Sequence, residues 1–121
     1  MGYRSDIRIR TTKEGFEIIK AEIEKTIKEN NLKDEYYNLL KIDGVEITET
    51  KDAVTIDWKN LKWYEEYKDV QAVMRSLDVL AEKNIDYQYA RIGEDIKDTE
   101  EIWRVENGSF DSFYIARYFE G

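Results

Sequence analysis

Residues 3–23 read YRSDIRIRTTKEGFEIIKAEI, and the hydrophobic period of this stretch changes once, near Thr11. Up to that point it alternates. Tyr3, Ser5, Ile7 and Ile9 fall on one side of an extended strand, and Arg4, Asp6, Arg8 and Arg10 fall on the other. Beyond it, Phe16, Ile19, Ile23 and Ile27 recur at three- and four-residue spacing with Ile18 flanking, which is the apolar stripe of a surface helix. Thr11-Thr12-Lys13-Glu14 at the junction reads as a capping box, with Thr11 accepting from the third amide and Glu14 reaching back. Asn30-Asn31 closes the helix. A half-apolar strand followed by a one-sided helix predicts a sheet with helices packed on one face.

The rest of the chain extends this pattern. Residues 32–42 carry no clear period, and a short helical turn is one reading. Turn signals at Asp43-Gly44 and Thr50-Lys51-Asp52 bracket a strand over 45–50, and a second strand over 53–59 places Val54, Ile56 and Trp58 on one face. A second helix over about 67–83 carries Val70, Val73, Met74, Leu77, Leu80 and Ala81, with Asn84 as its C-terminal cap. Residues 85–92 form a further strand ended by Gly93. Two short strands, 102–106 and 112–119, are joined through Asn107-Gly108, a strong hairpin signal. The expected fold is α+β, a ferredoxin-like β-α-β-β-α-β with an additional C-terminal β-hairpin. There is no proline, repeat, low-complexity tract or composition break, so residues 1–121 read as a single domain.

Composition narrows the chemistry. A chain of 121 residues can bury a core without staples. The lack of cysteine removes disulfides, thiolate nucleophiles and cysteine zinc sites, and fits a reducing cytosol. The lack of histidine removes the commonest general base and the commonest transition-metal ligand. No phosphate-binding glycine loop, dinucleotide fingerprint or nucleophile elbow is present. The expectation is a protein that is not an enzyme and uses no cofactor. No apolar run approaches the roughly 18 residues of a bilayer span, no signal-peptide core follows Met1, and MGYRSD misses the myristoylation pattern. A cytoplasmic location without a membrane partner is therefore expected. With 27 acids against 19 bases the net charge is −8, which opposes direct nucleic-acid binding and favours encounter with basic surfaces. Solubility is the plainer account of the same charge.

Two groups of residues are candidate sites. If Ile7 and Ile9 face the helices, Arg4, Arg8 and Arg10 face away. Choosing Ala90 and Ile92 as the helix-facing pair of the fourth strand sends Tyr87, Tyr89 and Arg91 to that same open face. Tyr114 and Tyr118 can join them if Phe113, Ile115 and Phe119 turn inward. Arginine forks beside tyrosine rings suit phosphates, nucleobases or carboxylates. Cross-strand pairing with Asp6 and Asp57, beneath the last hairpin, is the structural alternative. The aromatic signature of an RNA-recognition module is absent. The second group is Glu94, Asp95, Asp98, Glu100 and Glu101 in the acidic stretch 93–101. Its spacing does not match the twelve-residue calcium loop, so no metal is expected, and it reads as a docking patch for a basic partner or a solvated loop. In WKNLKWYEEY (58–67), Trp58 reads as core, and Trp63 and Tyr64 as either a core lid or an interface anchor.

The opening MGYRSDIRI, the helix start TTKEGFE, the middle WKNLKWYEEYKDV and the segment YARIGED resemble a family of small, largely uncharacterised bacteriophage and prophage proteins. The likeness covers most of the chain up to about Asp95 and is weakest in the C-terminal hairpin. It carries over no catalytic residue. It implies expression in the cytoplasm of a bacterial host and a counter-defence role by binding, as anti-CRISPR proteins act. The partner it implies is a host defence protein such as a CRISPR effector or nuclease. Homo-oligomer formation and a structural role in phage development stay open beside it, as does a binder that sequesters a nucleotide signal on the arginine–tyrosine face.

Overall fold

In the computed structural model, which describes residues 2–95, 97–115 and 119–120, the period change near Thr11 separates strand β1 (Ser5–Thr11) from helix α1 (Lys13–Glu29). A single helical turn, α2 (Asp34–Tyr37), follows, then strands β2 (Glu46–Glu49) and β3 (Val54–Leu61). Helix α3 (Lys68–Glu82) leads into β4 (Tyr87–Ile92) and β5 (Thr99–Arg104). The last elements are the two-residue strands β6 (Tyr114–Ile115) and β7 (Phe119–Glu120). The fold is α+β: an antiparallel five-stranded sheet in the order β2-β3-β1-β4-β5, three helices, and β6 paired with β7 apart from the main sheet.

The helices cover one sheet face. Ile19, Ile23 and Ile27 of α1 and Val70, Val73, Leu77 and Leu80 of α3 are buried in one cluster with Ile7, Ile9, Ile56 and Trp58 of the strands. Trp58 is 1% exposed, and its indole N–H donates to the Leu39 carbonyl at 2.8 Å, which satisfies the one polar atom of a core tryptophan. Each long helix ends in the same way. Asn31 (φ 54°) and Asn84 (φ 58°) take the left-handed conformation just past the caps. The amides of Leu32 and Ile85, the next residues, return to the carbonyls of Ile27 and Leu80, at 2.9 Å in both cases. These are Schellman closures, with asparagine where glycine is commoner.

Two local expectations are corrected. The N-cap of α1 is Thr12, whose hydroxyl accepts from the Gly15 amide at 3.0 Å, one residue later than the capping-box reading. Thr11 is buried on β1, and its hydroxyl donates instead to the Asp86 carbonyl at 2.9 Å. Gly15 is required beside it, because a Cβ there would overlap Thr11 Oγ1. The second correction concerns the C-terminal hairpin. Asn107-Gly108 does turn, with Gly108 at φ 64°, but it does not join two paired strands. β5 begins earlier than expected and pairs with β4 across the 93–98 turn. The reason is Asp86, a buried carboxylate that accepts from the amides of Asn107 at 2.9 Å and Ser109 at 3.0 Å. Those bonds steer the chain under the sheet instead of back along β5.

Candidate functional site

The register of β1 against β4 decides which predicted residues meet. Ile7 stands opposite Arg91, Ile9 opposite Tyr89 and Thr11 opposite Tyr87, and directly opposed residues share a face. Tyr87, Tyr89 and Arg91 therefore lie on the helix side, and Ala90 and Ile92 lie on the other. The six residues Arg4, Arg8, Arg10, Tyr87, Tyr89 and Arg91 do not form one surface. Tyr87 and Tyr89 are 3% and 2% exposed and belong to the core cluster.

Arg8 and Arg10 remain on the outer face, where the C-terminal segment covers them. Phe113 is fully buried there, with the Arg8 and Arg10 guanidinium carbons 5.3 and 5.4 Å from its ring centre. Arg8 pairs with Asp57 across the sheet at 2.7 Å, and Arg10 donates to Thr55 Oγ1 at 2.9 Å and to the Asp111 carbonyl at 2.9 Å. The buried Gln88 amide holds Phe113 from beneath. Its Nε2 donates to the Phe113 carbonyl at 2.7 Å, and its Oε1 accepts from the Phe113 amide at 3.1 Å. Arg4 lies apart and donates through Nη1 to the Asn60 carbonyl at 3.0 Å. Tyr114 is exposed beside Trp103, and Tyr118 lies outside the described residues.

The acidic residues separate as well. Asp98 and Glu100 converge on Arg91, which donates to Asp98 through both terminal nitrogens (3.2 and 2.7 Å) and to Glu100 through Nε at 2.6 Å. Hydrogen bonding to Asp98 raises the guanidinium's pKa despite its burial, and Glu100 adds to this. The Asp98 carboxyl is held below its ordinary range, first by Arg91 and then by the Tyr3 hydroxyl, which donates to it at 2.6 Å. The Tyr3 oxygen also accepts from the Asp95 amide at 3.1 Å, and Glu94 accepts from the Arg4 amide at 2.8 Å. These contacts fasten residues 3–4 to the β4–β5 turn. Gly93 permits this approach, because a Cβ would meet Tyr3 Oη and Asp98 Oδ2. Glu101 is exposed opposite Ala90, on the face away from this network.

The network forms one wall of a hollow of about 590 Å³ beside α3. Trp63, Tyr64, Val70 and Met74 give it an aromatic and apolar side, and Tyr3 and Tyr89 complete it. Trp63 packs at 5.5 Å on core Trp58 and at 6.5 Å on Tyr89, so this partly buried ring is both a core lid and a wall of the hollow. The Tyr3 amide donates to the Tyr64 hydroxyl at 2.6 Å. Burial, with the Glu100 charge, pushes the Tyr89 phenol far up, so it stays protonated. Glu65 and Glu66 stand exposed on the rim, and Glu66 also lines a second hollow of about 380 Å³ with Tyr37 and Tyr67. Residues Tyr3, Tyr37, Glu65, Glu66 and Met74 had no part in the sequence-based site. The aromatic density of 58–67 was a signal for Glu65 and Glu66 alone.

Among the described residues, no group of three or more acidic, histidine or cysteine side chains could hold a metal ion, and no helix is long and apolar enough to cross a membrane. No family model matches the chain, and neither a curated protein nor a solved structure matches it.

Proposed function

We propose that this chain is a non-enzymatic binding protein that docks on a basic surface of a protein partner in the bacterial cytoplasm. In this reading it is a phage-encoded, anti-CRISPR-like inhibitor of a host defence protein, and its partner is a CRISPR effector or nuclease whose nucleic-acid groove it occupies. The observation that carries the binding role is the surface around the start of α3. There Tyr3, Tyr37 and Tyr67 stand exposed, at 38%, 37% and 37%, around hollows rimmed by Glu65 and Glu66. Tyrosine and tryptophan supply large contact area at low entropic cost, and a carboxylate rim on a chain of charge −8 selects cationic partners. The order β2-β3-β1-β4 supports the finer reading of a ferredoxin-like plan with β5 added at one edge.

A nucleotide-sequestering face has less support. Arg8 and Arg10 are engaged with Asp57, Thr55 and Phe113, and Arg91 with two carboxylates. Self-association is favoured by one observation, the exposed Trp103–Tyr114 pair (5.8 Å) beside edge strand β5, and light scattering tests it. The main proposal is tested by affinity capture from host lysates at graded salt. A nuclease or CRISPR effector should be recovered, with retention falling steeply as salt rises. Recovery of no specific protein across several hosts, or salt-insensitive capture, overturns it.

A further inference from the structure

We propose that the hollow beside α3 is a receptor for a single guanidinium group, the side chain of an arginine presented by the partner. This assignment rests on the basic-partner reading above and names the group that anchors it.

The lining holds four carboxylates, Glu65, Glu66, Asp98 and Glu100, against one guanidinium, Arg91. Arg91 is already committed to Asp98 and Glu100, so a phosphate or carboxylate ligand would meet an excess of like charge. A cation meets the reverse. Trp63 and Tyr64 also line the hollow, and aromatic rings attract a planar cation. The hollow, at about 590 Å³, has room to admit an arginine side chain. The choice of guanidinium over ammonium follows from shape. A flat fork can lie on the indole while its edge donates to two carboxylates, and a compact ammonium cannot do both. The carboxylate half of this arrangement is present already, because Arg91 lies in the same hollow with its fork divided between two acids. Glu65 and Glu66 have no ion pair or side-chain hydrogen bond within the described residues, so they are available to a second guanidinium.

The test titrates the full chain with N-acetyl-arginine amide and follows the indole N–H resonance of Trp63. N-acetyl-lysine amide and N-acetyl-glutamine amide are run in parallel. Saturable shifts at Trp63 at millimolar concentration are expected for arginine, weaker ones for lysine and none for glutamine. The double variant Glu65→Gln/Glu66→Gln, altered only at exposed positions, should lose about fivefold in affinity, the loss expected for two charge-assisted contacts at an open rim. No saturable shift, a response to glutamine equal to that to arginine, or unchanged affinity in the double variant overturns the assignment. A hexa-arginine peptide separates this failure from that of the broader reading. If it binds parent and double variant alike, the hollow is not the receptor but the basic-partner reading survives. If it binds neither, both fall.

Discussion

Replacing Phe113 by alanine should be among the most damaging single changes outside the helix-facing core. The ring is fully buried on the outer sheet face, and the cost of Phe→Ala at such a site is about 3–5 kcal/mol. Part of that cost is electrostatic. Two guanidinium groups lie 5.3 and 5.4 Å from the ring centre, and each contributes ~0.5–1 kcal/mol at a half-exposed site. Phe113→Leu keeps most of the apolar volume and loses the ring, so it should cost only about 1–2 kcal/mol. Urea unfolding followed by tryptophan fluorescence and far-ultraviolet circular dichroism reads both variants. With a slope of ~2 kcal/mol per molar, the alanine variant should unfold about 2 M earlier and the leucine variant less than 1 M earlier. An alanine variant within about 1 kcal/mol of the parent would show that the segment does not seal this face. Equal losses for leucine and alanine would refute the division between burial and ring electrostatics.

Asp86 should make the fold acid-sensitive. Burial pushes its carboxyl up, but hydrogen bonds from the Asn107, Ser109 and Glu106 amides outweigh this and set it below its ordinary value of 3.8. Its contribution is therefore complete above pH ~4 and fades as pH falls through the lowered folded value, so Asp86→Asn should flatten the stability–pH curve in that acid limb. A slope unchanged from the parent would exclude this carboxylate as its source. Gly15→Ala, normally worth up to about 1 kcal/mol in a helix, should instead destabilise by ~1–3 kcal/mol, because the new Cβ overlaps Thr11 Oγ1. A thermal melt at or above the parent's would contradict that. Thr26 Oγ1 is buried with no hydrogen-bond partner among the described residues, so Thr26→Val should stabilise by about 1 kcal/mol in the same urea assay.

The strand and helix order could be read from residues 3–23 and from the turn signals, because each element has one apolar face and a distinct period. The phase of β4 could not be read in this way. Tyr87, Tyr89 and Arg91 alternate with Gln88, Ala90 and Ile92, and both sets are largely buried, one by the helices and the other by the C-terminal segment. Alternation marks a solvent face only when one exists. Tyrosine, with an apolar body and a polar tip, is equally at home on either side. The pairing within the acidic stretch was hidden for a related reason. Asp98 and Glu100 are partners of Arg91 on the adjoining strand, and a cross-strand pairing leaves no trace in local composition. The hollow was illegible because Tyr3, Trp63, Tyr89 and Asp98 meet only after β1, β4 and the loop before α3 are assembled.

The central position of β1 has a consequence for how the molecule is made. β1 precedes both of its partners in the chain and is hydrogen-bonded on both edges, by β3 and by β4, with Asp6 opposite Ile92. During synthesis Ile7 and Ile9 must wait for β3, about half the chain later, before one edge of β1 is satisfied, and for β4 before the other is. Pairings so distant in sequence slow folding, because the closure entropy is lost before the contacts form. A chain arrested before β4 would expose an apolar strand with an open edge, which is a template for pairing with another nascent chain. Arg4, Arg8 and Arg10, with Asp6 among them, put charge on every second residue of that strand during the interval. The alternation that shapes the finished sheet thus also guards the unfinished one against aggregation.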